Sequence, residues 1–108
     1  MTLAQSQYLN NRYTILSLLG QGGFGAVYKA WDNTLNVPCA VKESFLLSPE
    51  GQRQFLHEAQ ILAGLRHPNL PRVTDFFTIP EQGQYLVMDF VEGQDLEELR
   101  LQAGGRLP

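Results

Sequence analysis

Apolar and β-branched positions gather in short runs along the first part of the chain and then switch to a helical spacing. Tyr13-Thr14-Ile15-Leu16-Ser17-Leu18-Leu19 runs into glycines at positions 20, 22, 23 and 25, which predicts a strand meeting a turn. Ala26–Trp31 predicts a second strand, Asp32–Asn36 carries turn chemistry, and Val37–Glu43 predicts a third. Pro38 lies near the start of that third strand, where a missing N–H does little harm. Short links between these strands predict an antiparallel meander. Ser48-Pro49-Glu50 then reads as a helix start: a capping hydroxyl, proline at the first helical position and an acid in the first turn. The helix should run to about Arg66 and end at His67-Pro68-Asn69. Two further strands, Arg72–Thr78 and Gln84–Val91, are joined by the turn Pro80–Gly83, and a short amphipathic helix, Asp95–Gln102, precedes a loop-like tail. No internal repeat or low-complexity stretch interrupts this order. The expected fold class is α+β: a five-stranded antiparallel sheet with one main helix packed on it, and a short helix near the C-terminus.

Composition narrows the possibilities. With 108 residues, 44% of them apolar and 18% charged, the chain is long enough for one core and has the make-up of a globular protein. Eight basic and 11 acidic residues leave a net charge of −3, so no basic excess is present to hold nucleic acid or an anionic membrane. No apolar run approaches the roughly 20 residues of a membrane helix, and the polar segment Met1–Asn11 does not read as a signal peptide. The single cysteine, Cys39, makes no internal disulfide. It fits a reducing compartment, hence a cytoplasmic location, and is expected to be a small buried apolar residue.

The glycine run reads Leu19-Gly20-Gln21-Gly22-Gly23-Phe24-Gly25-Ala26-Val27, which contains G-x-G-x-x-G-x-V. Glycines allow close backbone approach to a ligand, and free N–H groups in succession suit phosphate oxygens. By itself such a cluster is more often a flexible hairpin loop that binds nothing. The dinucleotide-binding fingerprint shares G-x-G-x-x-G but needs a helix after the glycines. The residues from Val27 to Trp31 are strand-like instead, so that reading fails. The phosphate loop G-x-x-x-x-G-K-[ST] is absent.

A second constellation is more telling. Cys39-Ala40-Val41-Lys42 is an apolar strand ending in one of only two lysines; the other, Lys29, reads as a solvated strand charge. On the helix, Phe55, Ile61, Leu62 and Leu65 make an apolar stripe, and Glu58 lies three residues after Phe55 and four before Leu62. That spacing puts Glu58 towards the core, where an unpaired carboxylate is costly. Glu58 either reaches water at the edge of the stripe or meets a cation from the sheet, and Lys42 is the natural candidate. His57-Glu58 begins like the zinc motif H-E-x-x-H, but position 61 is Ile.

Taken together, the glycine run, Lys42 and Glu58 resemble the N-terminal lobe of a eukaryotic-like protein kinase. His67-Pro68-Asn69 and Tyr85-Leu86-Val87-Met88-Asp89-Phe90-Val91-Glu92-Gly93 match the same family, the latter as the last strand of the lobe and the hinge. Leu70-Pro71-Arg72-Val73 and Gly93-Gln94-Asp95-Leu96 look most like bacterial serine/threonine kinases. The resemblance implies an extension over 1–12, an ATP-binding lobe over 13–93, and a hinge helix with the start of a second lobe over 94–108. It implies that the backbone of Gly20, Gln21, Gly22, Gly23, Phe24 and Gly25 covers the ATP phosphates. Lys42 would contact the α- and β-phosphates and Glu58 would hold it. Leu19, Val27 and Ala40 would roof the adenine, with Met88 as gatekeeper. The Asp89 carbonyl and the Val91 main chain would meet the base, and Asp95 would lie near the ribose. Leu62 and Val73 would belong to an apolar column linking helix and sheet.

The family's catalytic Asp, magnesium-binding Asn and D-F-G Asp belong to a second lobe that these residues do not include. Mg2+ would therefore be bound only by a longer parent, and the 108-residue chain is expected to be inactive alone. The parent's partners would be ATP and protein substrates. A homodimer through the face that normally meets the second lobe is expected from its apolar surface. An interaction module that uses the lobe as a scaffold is the alternative; Lys42, Glu58 and the glycines are residues such a scaffold does not require.

Overall fold

The computed structural model describes residues 3–64 and 71–90. Its elements are β1 (Tyr8–Leu9), β2 (Tyr13–Gln21), β3 (Gly25–Asp32), β4 (Val37–Ser44), α1 (Pro49–Gly64), β5 (Val73–Ile79) and β6 (Gly83–Asp89). Six antiparallel strands form one sheet in the order β1-β2-β3-β4-β6-β5. The α+β class holds, but the sheet has six strands where five were expected. The addition is β1, two residues from the segment assigned as an extension, paired as Tyr8↔Thr14 and Leu9↔Tyr13. Two residues are too few to show a strand period in the sequence. The burial of Leu9 and Leu3 is what draws this segment onto the sheet.

Period-two alternation splits the sheet into two faces. One face encloses the larger core: Leu3, Leu9, Tyr13, Ile15, Ala26, Tyr28, Ala30, Cys39, Val41, Tyr85 and Val87, closed by Phe45, Phe77 and Ile79. Cys39 lies in it as expected, and burial pushes its thiol up to about 12. The other face carries Leu86 and Met88, on which Phe55, Ala59 and Leu62 of α1 pack, with Val73 and Phe76 beside them. Leu62 and Val73 therefore share one apolar cluster. Ile61, expected on the helix stripe, is exposed. The buried seam is Gly51, Phe55, Ala59 and Leu62; Ile61 is offset from Phe55 by about 120° around the helix at 100° per residue. Leu65, the helix end near Arg66, the His67-Pro68-Asn69 loop, Val91 and the Asp95–Gln102 helix all lie outside the described residues.

Polar side chains fix the turns. The Arg12 guanidinium donates from Nε and Nη2 to the two oxygens of Asp32, both at 2.9 Å. That fork holds the Asp32 carboxyl below the usual carboxylate range. Asp32 also accepts the Thr34 and Leu35 N–H groups, and Asn36 closes the β3–β4 turn at a φ of 58°. Ser48 caps α1 as its sequence predicts, its Oγ accepting the Gly51 N–H at 3.1 Å. Among the described residues no helix is long and apolar enough to cross a membrane.

Candidate functional site

β2 and β3 carry the glycine run between them. The strands pair as far as Gly20↔Val27 and Gln21↔Ala26, so the first two residues of the run are strand, not turn. The tight part is Gly22–Phe24, closed by the Gly22 N–H donating to the Gly25 carbonyl at 2.9 Å. Beneath this hairpin lies a cavity of about 610 Å³. Gly20 to Val27, Lys42, Glu43, Ser44, Leu46, Gly51, Gln54, Phe55 and Glu58 line it.

Gly22 and Gly23 in the turn and Gly25 at the start of β3 have different physical reasons. A Cβ on Gly22 or Gly23 would meet nothing within 4 Å. A Cβ on Gly25 would stand 2.0 Å from the Glu43 carbonyl oxygen, because Gly25 pairs with Ser44 across β3 and β4. Gly25→Ala is therefore expected to split this ladder end and cost about 2 kcal/mol or more. Gly22→Ala and Gly23→Ala should stay within about 0.5 kcal/mol. Thermal melts of the three variants check this, and equal losses would refute the assignment.

Lys42 and Glu58 reach the same cavity from opposite walls. Lys42 follows Cys39, Ala40 and Val41 on β4, and alternation sends it to the face on which α1 lies. Its Nζ stands 3.8 Å from Glu58 Oε1, with both side chains largely buried, and 5.9 Å from the Phe55 ring centroid. Of the two readings of Glu58, the one in which it meets Lys42 matches this geometry. Burial pushes the Glu58 carboxyl above its ordinary value, with Lys42 and then His57 opposing. At 3.8 Å the cation only partly offsets the desolvation. Acidification consequently neutralises Glu58 before an exposed glutamate.

Of the described residues expected around the base, Val27 lines this cavity. Leu19, Ala40, Met88 and Asp89 are not among its lining residues. Ala40 and Met88 are cross-strand partners, both buried, on the α1 side of the sheet next to Val27. Asp89 pairs with Cys39; its N–H donates to the Arg72 carbonyl at 2.9 Å and its carboxylate accepts Arg72 Nε at 3.2 Å. Val91 and Asp95 are outside the described residues. Lys29 departs from a solvated strand charge: it is half-buried, with its Nζ 5.0 Å from the Phe90 ring centroid.

The sequence reading missed a buried polar network directly behind Lys42. Glu43 is 1% exposed. Its Oε1 accepts the Tyr28 hydroxyl at 2.9 Å and its Oε2 the Tyr85 hydroxyl at 2.7 Å. Tyr28 in turn accepts the Leu3 N–H at 2.9 Å, and Tyr85 accepts Gln82 Nε2 at 2.7 Å. Burial pushes the Tyr28 hydroxyl up to about 12, so it remains a donor at neutral pH. A signal existed: Glu43 is in phase with Cys39 and Val41, the core-facing positions of the strand.

Residues 13–106 match the protein kinase domain family. Similar proteins include a probable serine/threonine-protein kinase of Clostridium perfringens, 39% identical over 93% of this chain and 15% of the relative. YbdM of Bacillus subtilis, a probable serine/threonine-protein kinase, is 35% identical over 84% of this chain and 36% of its own length. The serine/threonine-protein kinase PknA of Mycobacterium tuberculosis is 37% identical over 92% and 24% respectively. Among solved structures, the apo form of PpkA-294 superposes with a TM-score of 0.73 at 27% identity, over 94% of this chain and 43% of that one. The chain thus spans between 15% and 36% of the length of these three curated relatives.

Proposed function

The chain belongs to the protein kinase domain family, and from that premise we propose that it is the ATP-binding lobe of a serine/threonine protein kinase. The observation that carries the proposal is the approach of Lys42 to Glu58, 3.8 Å apart, in the cavity under the glycine hairpin. Lys42 offers a cation to the α- and β-phosphates. The backbone at Gly23, where even a methyl would meet nothing within 4 Å, offers an N–H group with room for a phosphate oxygen, while the Gly22 N–H closes the turn on the Gly25 carbonyl. Glu58 keeps the lysine extended. Ala40, Val27 and Leu19 form the apolar roof for the base, with Met88 beside it and the main chain of Asp89 and Val91 as its hydrogen-bonding edge. Asp95 is assigned to the ribose.

In this reading the lobe binds and orients the nucleotide, while the base, the metal ligands and the substrate platform come from a second lobe of the parent. Partners are ATP and protein substrates, with a second copy of the chain against the cavity-bearing face. With a net charge of −3 the chain has no basic excess to hold nucleic acid or an anionic membrane by charge alone. The reading places the chain in the cytoplasm.

Calorimetric titration with ATP and radiolabelled phosphotransfer to a generic protein substrate test the proposal. The 108-residue chain should bind ATP more weakly than micromolar and transfer no label. Micromolar or tighter binding, or turnover abolished by Lys42→Met, would contradict the reading of this lobe as an incomplete half-site, and no binding of ATP would contradict its assignment as the ATP-binding lobe.

A further inference from the structure

One wall of the cavity takes no part in phosphate binding. It is made by Leu46 of the β4–α1 loop and by Gly51 and Gln54 of α1. Gly51 is buried in the first turn of the helix. A Cβ there would stand 2.6 Å from Leu46 Cβ and 3.1 Å from Ser48 Oγ, where carbon atoms prefer about 3.5–4.0 Å. Leu46 Cβ hangs directly on the main chain, so no change of rotamer moves it away. The loop that carries it is pinned on three sides. The Phe45 N–H donates to the Phe24 carbonyl of the glycine turn at 2.8 Å. Phe45 itself packs on the larger core. The Leu46 N–H donates to Ser44 Oγ at 3.3 Å.

Helical geometry carries this contact to the site. Phe55, Glu58 and Leu62 lie 4, 7 and 11 residues beyond Gly51, which places all four within about 60° of one another around the axis at 100° per residue. Lys42 therefore meets two residues of α1, the Phe55 ring at 5.9 Å and Glu58 at 3.8 Å, on the same side of the helix that Gly51 seats. The pair already stands near the roughly 4 Å limit of an ion pair.

We infer that Gly51 is a positioning residue: its missing side chain lets α1 settle against Leu46 at the depth where Glu58 reaches Lys42. The same loop ties that seat to the glycine turn through Phe45 and Phe24. The consequence for nucleotide binding rests on the proposed function; the seating of the helix does not.

The test compares wild type, Gly51→Ala and Gly51→Ala/Leu46→Gly by NMR of the labelled chain. Alanine is the better helix former, so if only propensity mattered the first variant would keep its geometry and melt higher. The expected result is otherwise. Wild type shows an upfield ring-current shift of the Lys42 Cε protons and cross-relaxation between them and the Glu58 Cγ protons. Gly51→Ala loses both signals, and the double variant, which removes the colliding Cβ, regains them. Retention of both signals in Gly51→Ala overturns the inference, as does their absence in wild type or a loss that Leu46→Gly does not repair. If Gly51→Ala does not fold, recovery of folding in the double variant supports the inference and failure to recover overturns it. In a second arm, the preference for ATP over adenosine should fall about tenfold in Gly51→Ala with adenosine affinity unchanged, and an unchanged preference counts against the inference. A wild-type chain that binds no ATP overturns the functional proposal, and the NMR comparison then decides on Gly51 by itself.

Discussion

Lys42→Met, introduced into a chain that carries its second lobe, is expected to lower kcat/KM for phosphotransfer by about 10²–10³-fold while leaving the lobe folded. Methionine keeps the length of the side chain and removes its charge. The lost interaction is with phosphate oxygens whose charge the site must stabilise, in a position where the Lys42 side chain is only 20% exposed. Shielding from water strengthens such an interaction over its value at an open surface. The stability effect should be small for a separate reason. The Lys42–Glu58 contact is long, 3.8 Å, and desolvation already outweighs Lys42 in setting the Glu58 carboxyl. Glu58 can take up a proton when its partner goes, so the loss should stay within about 1 kcal/mol. Initial-rate kinetics with ATP and a serine-containing peptide, beside thermal melts of the same preparations, measure both quantities. A rate loss below about fivefold, or one that appears only together with a collapsed melt, removes Lys42 from the phosphate site.

The second large effect concerns the fold. Glu43→Ala should destabilise the chain by about 3–5 kcal/mol, a large share of the 5–15 kcal/mol typical of a domain. The substitution strips the acceptor from two buried tyrosine hydroxyls, at about 1–3 kcal/mol each, and leaves a void among β3, β4 and β6. Its reach is long because Tyr28 also holds the Leu3 N–H and Tyr85 holds Gln82. For a chain of this size the melting temperature should drop by about 15 °C or more. Glu43→Leu combined with Tyr28→Phe and Tyr85→Phe should recover much of the loss, since replacing a whole polar set with apolar groups leaves nothing unpaired. Calorimetry of the single and triple variants checks the account. If the triple variant is worse than Glu43→Ala, the hydroxyl–carboxylate bonds are not the cause.

The network also shows why residues 1–12 read as an extension in the sequence alone. Met1–Asn11 is polar and has no strand period, so nothing local ties it down. Leu3 and Leu9 gain their place only when the larger core exists to receive them, and the Leu3 N–H finds Tyr28 only when β3 is already curled over it. Glu43 is the converse case. It is in phase with Cys39 and Val41 along β4, yet an acid in a strand reads as solvent-facing until two tyrosines are brought to it by β3 and β6. Ile61 failed for a simpler reason: a stripe drawn by apolar character alone ignores the angle, which favours Ala59.

Local chemistry by itself determined much of this protein. The glycine run, the capped helix at Ser48-Pro49, the turn at Asp32–Asn36 and the strand carrying Lys42 are set by residues within a few positions of each other, and each formed where its sequence predicts. Helical spacing also sufficed to aim Glu58 inward. What only the tertiary structure decided is whatever needs two distant segments at once: β6 inserted between β4 and β5, the N-terminal residues folded onto the sheet, the carboxylate of Glu43 between two tyrosines, and the depth at which α1 sits against Leu46. The physical reason is common to all four. Periodicity and propensity act over one element, while burial, hydrogen-bond satisfaction and steric fit are settled between elements, after the chain has brought them together.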